Sequence, residues 1–351
     1  MVKNLFEYDS VSLCDNGEGL KILDQTKLPN EEVFIILQNE ADFTNAICSL
    51  KVRGAPAIGI AAAYALFVLM NNSGIKRVPD FSAEFSRIKN LLLNTRPTAV
   101  NLSYALNRME FRYNECLKDK SVTTEQINHK LRAEAELIKN EDINSNLEIA
   151  KNAISLLKPS MSILTHCNAG HLAVSRYGTA LAPIYLAKSK GWNIKVYACE
   201  TRPLLQGARL TSFELKRAGV DVTLLCDNMV SSLMSEGKID AVITGCDRIA
   251  LNGDTANKIG TSSIAVLAAY YKIPFYVAGP STTIDHDSLT GDSFVIEQRS
   301  PDEVTEMWYS KRMAPKDISV YNPAFDVTKS QLISAIITEK GIFRYPYNFE
   351  I

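Results

Sequence analysis

From Ile163 onward the chain alternates short apolar runs with stretches at helical period. The run at Met161-Ser-Ile-Leu-Thr165 is followed by Ile194 to Cys199, Val220 to Cys226, Ala241 to Thr244 and Pro274 to Ala278, each reading as a strand. Between them lie Thr179 to Lys190, Gln206 to Ala218, Met229 to Glu236 and Gly260 to Tyr271, which read as helices. Such alternation specifies a parallel sheet covered on both faces by helices. Each apolar run gives way to polar residues, glycine or proline: Thr165-His-Cys-Asn168, Glu200-Thr-Arg-Pro203, Asp227-Asn228, Gly245-Cys-Asp-Arg248 and Gly279-Pro-Ser-Thr282. Ligands of open α/β sheets bind beyond the carboxyl ends of the strands, so one sheet edge is marked for chemistry.

The first part of the chain has a different pattern. A short β-like opening around Leu20 to Leu37 precedes helical stretches at Glu40 to Leu50, Ala57 to Asn71, Phe81 to Asn94, Ala99 to Lys118 and Thr124 to Asn140. A further helix, Asn144 to Leu157, leads into the sheet, with Pro159 and Ser160 marking entry to the first parallel strand. The expected fold is therefore α/β: a smaller, mainly helical domain over 1–143, then a Rossmann-like, doubly wound parallel sheet domain over 144–351. No internal repeat or low-complexity tract interrupts it.

Composition narrows the function. Thirty-eight basic and 39 acidic residues leave a formal charge of −1, so no global field draws nucleic acid or an anionic membrane surface, and an anionic ligand has to be met locally. The start of the chain has no apolar signal-peptide core, and the longest apolar stretch, Ala55 to Met70, falls short of a membrane span. A soluble, cytoplasmic protein is the expectation. Seven scattered cysteines form no C-x-x-C pair, and the four histidines lack helical ligand spacing, which argues against a disulfide framework and a metal site. No strand is followed by G-x-G-x-x-G, which disfavours a dinucleotide cofactor and with it a dehydrogenase.

Candidate chemistry gathers at a few positions. Cys167 is followed by Asn-Ala-Gly170, a turn toward a helix start whose free N–H groups would favour a thiolate. His166 beside it points to the opposite face if the strand continues, which gives it a structural role. Asp247 follows the run Ala241 to Thr244, as a candidate acid or a turn cap. Asp254 in Asn252-Gly-Asp-Thr255 reads as a turn residue, and Cys199, Cys226 and Cys246 as strand thiols with packing roles. Arg53-Gly-Ala-Pro-Ala-Ile-Gly59 opens an amphipathic helix where free N–H groups next to an arginine suit a phosphate; ordinary helix punctuation is the competing reading. Arg96 before a helix start at Thr98 is a second candidate. Lys258 stands near the start of the helix Gly260 to Tyr271, a place that disfavours a cation unless an anion accompanies it.

Taken together, Lys51-Val-Arg-Gly-Ala-Pro-Ala-Ile-Gly59, Thr165-His-Cys-Asn-Ala-Gly170, Glu200-Thr-Arg-Pro203 with Gln206-Gly-Ala-Arg209, Gly245-Cys-Asp-Arg-Ile249 and Asn252-Gly-Asp254 with Asn257-Lys-Ile-Gly-Thr261 resemble the methylthioribose-1-phosphate isomerase family. Leu23-Asp-Gln-Thr26 and Asn322-Pro-Ala-Phe-Asp-Val-Thr328 extend the match over nearly the whole chain. The wider group includes 5-deoxyribose-1-phosphate and ribose-1,5-bisphosphate isomerases and the regulatory subunits of the eukaryotic initiation-factor exchange complex. The resemblance implies a cofactor-free aldose–ketose isomerase of methionine salvage acting on a sugar phosphate, a homodimer, with Cys167 and Asp247 as the catalytic pair. It further implies Arg53, Gly54, Ala55, Arg96, Gln206, Asn257 and Lys258 as substrate-binding residues. The 5-deoxy sugar phosphate is the alternative substrate, and a non-catalytic sugar-phosphate or nucleotide sensor the more distant alternative; the regulatory subunits are not expected to keep the Cys167 and Asp247 pair. Two positions depart from the family pattern: Cys199 stands where an acidic residue is usual, and Cys246 where alanine is usual.

Overall fold

A computed structural model describes residues 6–349. The chain divides into two compact units: one runs to Asn146 and takes in Gly170–Gly178, the other comprises Leu147–Ala169 and everything from Thr179 onward.

The first unit opens with three antiparallel strands, β1 (Val11–Leu13), β2 (Leu20–Leu23) and β3 (Phe34–Leu37), with β2 in the middle. The helices α1 (Glu40–Cys48), α2 (Ala55–Asn72), α3 (Val78–Leu93), α4 (Val100–Cys116) and α5 (Thr124–Ile154) follow. Asn39 starts α1 with a capping box, accepting from the Asp42 N–H while the Asp42 carboxylate accepts from the Asn39 N–H. The pattern at α2 predicts an amphipathic helix, but every residue from Ala57 to Met70 is buried. This helix packs against α1, α3, α4 and the first two strands, so it has no solvent face. By length and composition it could also cross a membrane; here it is the centre of the unit's apolar core, with Tyr64, Phe81 and Phe85 among the fully buried side chains. The two helices expected over Thr124 to Leu157 are one, because neither glycine nor proline lies between Thr124 and Ile154 to break it.

The second unit holds β4 (Ser162–Thr165), α6 (Ala182–Ser189), β5 (Lys195–Cys199), α7 (Ser212–Arg217), β6 (Asp221–Leu225), α8 (Val230–Ser235) and β7 (Ala241–Thr244). Next come β8 (Arg248–Ala250), β9 (Thr255–Lys258), α9 (Thr261–Tyr270), β10 (Phe275–Ala278), β11 (Ile284–Asp285), β12 (Phe325–Thr328), β13 (Ala335–Thr338) and β14 (Gly341–Phe343). A seven-stranded sheet runs in the order β14-β13-β10-β7-β4-β5-β6, parallel except for β14. The expected doubly wound parallel sheet is borne out. All four residues of β7 and of β10 are buried, as strands covered on both faces must be. A four-stranded sheet in the order β11-β8-β9-β12, which the apolar pattern did not reveal, joins residues near 250 to residues near 326.

Candidate active site

From β4 the chain winds outward through β5 and β6, then returns to β7 on the opposite flank of β4. The carboxyl ends of β4 and β7 therefore border the point where the winding reverses, the usual ligand crevice of an open α/β sheet. The two strands pair with Ile163 opposite Ala241 and Leu164 opposite Val242. Cys167 comes two residues past the end of β4 and Asp247 three residues past the end of β7. Gly245 has no room for a side chain, since a Cβ would lie 2.7 Å from Cβ of Ala169. Asp247 is half-buried, and its backbone N–H donates to the Ala256 carbonyl at 2.9 Å as the chain enters β8.

Cys167 is buried and has φ of 62°, a left-handed conformation uncommon for a residue with a side chain. Its backbone is fixed at both ends: the N–H donates to Thr201 Oγ1 at 2.8 Å, and the carbonyl accepts from Thr211 Oγ1 at 2.6 Å. Thr201 also sits at positive φ, 67°, a genuine outlier for a β-branched residue. Its N–H donates to Asp227 Oδ1 at 2.8 Å and its hydroxyl to the Cys199 carbonyl at 3.1 Å, while the Arg202 N–H donates to Asp227 Oδ2 at 2.7 Å. Deeper in, Asn168 Nδ2 donates to Glu214 Oε1 at 2.8 Å, and the Tyr185 hydroxyl donates to Glu214 Oε2 at 2.9 Å. Strained backbone held by this many bonds is characteristic of sites that pre-set a reactive group.

The helix start expected just after Cys167 is not there. Only a 3-10 turn, His171–Ala173, follows Gly170, and α6 begins at Ala182. The intervening segment is bound within the first unit, where Gln25 Nε2 donates to the Leu172 carbonyl at 2.8 Å and Arg176 pairs with Asp9. What surrounds Cys167 is a hydrogen-bonded turn rather than a helix N-terminus.

His166 is buried, and its Nε2 lies 2.9 Å from the Ile259 carbonyl, joining the end of β4 to the start of α9. Burial pushes its pKa below the ordinary histidine value, so the ring is neutral. Cys199 is buried, as expected of a strand thiol, and burial pushes its pKa up. Cys226 lies one residue past β6 and is half-buried rather than inside the strand. Cys246 is half-buried, and its Sγ occupies the space a Cβ on Gly279 would need.

Gln206 is 5% exposed at the start of a π-helical turn, Gly207–Thr211, and its Oε1 is buried without a hydrogen-bond partner. Such turns recur at functional sites, and an orphaned buried acceptor there suits a ligand's hydroxyl. Gly207 permits the turn: a Cβ would lie 1.7 Å from the Cys199 carbonyl oxygen. Lys258 is the last residue of β9 rather than a helix residue; it is buried, with Nζ donating to the Ala324 carbonyl at 2.9 Å and lying over the Phe325 ring. The anion at the start of α9 comes from the chain itself, for Asp326 accepts from the N–H groups of Gly260 and Ser262. Asn257 Nδ2 donates to Thr261 Oγ1 at 3.0 Å. Asp254 is the buried turn residue expected, accepting from the Ser330 N–H at 2.8 Å.

The remaining sequence-predicted residues belong to the first unit. Gly54 begins α2 at φ 95°, and a Cβ there would lie 2.2 Å from the Ala173 carbonyl oxygen, so backbone conformation and packing both require glycine. Arg53 precedes it, half-buried, and Ala55 and Pro56 form the first turn. Arg96 is half-buried in the loop between α3 and α4, the latter starting at Val100 rather than Thr98.

The family model described as the initiation factor 2 subunit family matches residues 51–345. The chain belongs to the initiation factor 2 subunit family. Within it, the resemblance to the methylthioribose-1-phosphate isomerases carried by the motifs is borne out. A protein named methylthioribose-1-phosphate isomerase from Parabacteroides distasonis is 57% identical over 94% of this chain and 97% of its own length. One named 5-deoxyribose 1-phosphate isomerase from Petrotoga mobilis is 55% identical over 96% of each chain. A solved structure of 5-methylthioribose 1-phosphate isomerase from Pyrococcus horikoshii OT3 superposes with a TM-score of 0.90 at 38% identity, covering 99% of this chain and 96% of that one. This initiation factor 2 subunit family member also has residues that the sequence patterns did not single out. Thr201, Thr211 and Glu214 hold the Cys167 turn; a charged residue on the buried side of the stretch Gln206 to Ala218 was the available signal for Glu214.

Proposed function

We propose that this protein is an aldose–ketose isomerase converting a 5-substituted ribose 1-phosphate, the 5-methylthio sugar first, to the corresponding ribulose 1-phosphate. The observation that carries the proposal is the position of Cys167 and Asp247 at the carboxyl ends of adjacent parallel strands where the sheet winding reverses, in a chain 57% identical to a protein named for that reaction. The 55% identical relative named for the 5-deoxy sugar makes that substrate the second reading.

The chemistry follows from the substrate. Its anomeric oxygen carries the phosphoryl group, so the ring opens only with acid help at the ring oxygen. Asp247 supplies that proton as the general acid in this reading. Hydrogen then moves between C2 and C1. In a proton route Cys167 as thiolate takes the C2 proton; in a hydride route Cys167 and Asp247 manage the hydroxyl and ring-oxygen protons while water is kept out. Both routes use the same two side chains.

The orphaned Gln206 acceptor, with Asn257 and Lys258, serves the sugar hydroxyls and phosphate in this reading; the resemblance alone names Arg53, Gly54, Ala55 and Arg96 as substrate-binding. Methionine salvage, a cytoplasmic location and a homodimer belong to the same proposal. The test is turnover of purified protein on the methylthio and 5-deoxy sugar phosphates side by side, compared as kcat/KM. Turnover of either supports isomerase function, and the ratio sets the substrate. Binding of the sugar phosphate without turnover of either would make the protein a sensor.

A further inference from the structure

Beneath the candidate catalytic turn lies a set of side chains that the isomerase reading leaves unused. His166 follows β4, Cys199 ends β5 and Asp227 lies two residues past β6, so three neighbouring parallel strands deliver them to one place. One donor atom from each, an imidazole nitrogen, the thiol sulfur and a carboxylate oxygen, lies within 4.8 Å of the other two. Histidine, cysteine and aspartate are the zinc donor set, and a tetrahedral ion with bonds of about 2.0 to 2.3 Å separates its ligands by about 3.3 to 3.8 Å. Closing to that geometry takes side-chain movements on the order of an ångström.

The state of the histidine is the second, independent observation. Nε2 faces the Ile259 carbonyl at 2.9 Å, and a carbonyl only accepts, so Nε2 carries the proton and Nδ1 presents its lone pair. Nδ1 is buried without a hydrogen-bond partner, in a residue only 1% exposed. An imidazole with one nitrogen donating to a backbone carbonyl and the other bare is the arrangement that orients histidine ligands on metals. The Asp227 oxygens each accept one backbone N–H, from Thr201 and Arg202, which fixes the carboxylate and leaves lone pairs free. Asp227 is half-buried, giving the set its opening toward solvent. A thiolate, a carboxylate and a neutral imidazole also sum to two negative charges, which cancel a divalent cation in a place where uncompensated charge is costly.

We propose that His166, Cys199 and Asp227 bind one divalent cation of borderline softness, zinc above all, with a fourth position left to water. Oxygen-preferring cations such as magnesium and calcium are poorly served by a thiol and an imidazole. The ion would lie one residue from the catalytic turn, because Thr201 is bonded both to Asp227 and to the backbone of Cys167.

Cobalt(II) titrated into the chelator-treated full chain is the probe. The expected result is a cobalt–thiolate charge-transfer band saturating at one ion per chain, displaced by zinc, lost in Cys199→Ser and kept in Cys226→Ser. Circular dichroism establishes that each variant is folded. If Cys199→Ser fails to fold, proton NMR of the cobalt-loaded wild type decides instead: a strongly shifted, exchangeable imidazole N–H signal is expected from Nε2–H of His166. No saturable band in folded wild-type protein, a band that survives Cys199→Ser or disappears with Cys226→Ser, or cobalt binding without a shifted imidazole signal would overturn the assignment.

Discussion

Replacing Thr201 with valine tests whether the turn at the end of β5 sets the reactive position of Cys167. Valine keeps the β-branched shape and the strain of φ 67° but removes the hydroxyl, which accepts from the Cys167 N–H at 2.8 Å and donates to the Cys199 carbonyl at 3.1 Å. The Cys167 N–H then stays buried without an acceptor, a loss of about 1 to 3 kcal/mol, and the bond to Cys199 adds about 0.5 to 1.5 kcal/mol. At about 2 to 4 °C per kcal/mol for a unit of this size class, the melting temperature should fall by roughly 3 to 18 °C. Release of the turn should also displace Cys167, and a misplacement of about 1 Å costs on the order of a hundredfold in rate. The expected signature in steady-state assays is a fall in kcat with KM nearly unchanged, together with the lower melting temperature. Thr201→Ser retains the hydroxyl and should recover most of both. Wild-type stability and kcat in Thr201→Val, or equal damage in Thr201→Ser, would refute the idea that the hydroxyl positions Cys167.

Cys167→Ser should remain folded and lose at least about a hundredfold in turnover, the scale of a missing acid–base group, whereas Cys226→Ser, outside the proposed chemistry, should keep near-normal rates. Asp247→Asn retains hydrogen bonding without an acidic proton, so calorimetry should find sugar-phosphate binding nearly intact while turnover collapses; unchanged turnover would remove Asp247 from the acid role. In the first unit, burial raises the pKa of Asp142 to about 7 against hydrogen bonds from the Ser175 N–H and Asn146, although the residue itself is partly exposed along its helix. Its folded value lies above the unfolded one, so its contribution to stability is complete below about pH 4 and is lost as pH rises through about 7. Asp142→Asn should therefore melt higher than wild type at pH 8 and lose that advantage at pH 5; identical melting curves at both pH values would contradict a buried neutral carboxyl.

The parallel sheet was legible because its strands are buried on both faces, and continuous apolar runs such as Ala241 to Thr244 stand out from helical spacing. The places of the candidate residues in the fold were legible for the same reason, since Cys167 and Asp247 come just after those runs stop. Strands with mixed burial were not. In β12, Phe325–Thr328, three of four residues are half-buried, and β8 has only three residues, so neither makes a period-2 pattern. The cluster of His166, Cys199 and Asp227 escapes any spacing rule, because parallel pairing rather than helical periodicity brings residues more than 25 positions apart to one point. Gly54 shows a different limit: its place before a helix suggested a phosphate cradle, while the contact with Ala173 that also demands glycine is invisible until distant segments are placed.

The pairing of β9 with β12 has a consequence for the order in which the protein is made. Lys258 lies opposite Phe325, its ammonium bonds to the Ala324 carbonyl, and Asp326 holds the start of α9. A nascent chain that has just released the α9 segment from the ribosome contains Cys167, Asp247 and Lys258 but nothing to seat that lysine or to occupy those N–H groups. Those supports arrive only with residues 324–328, and until these are made the edge of β9 facing away from β8 stays open to the wrong partner.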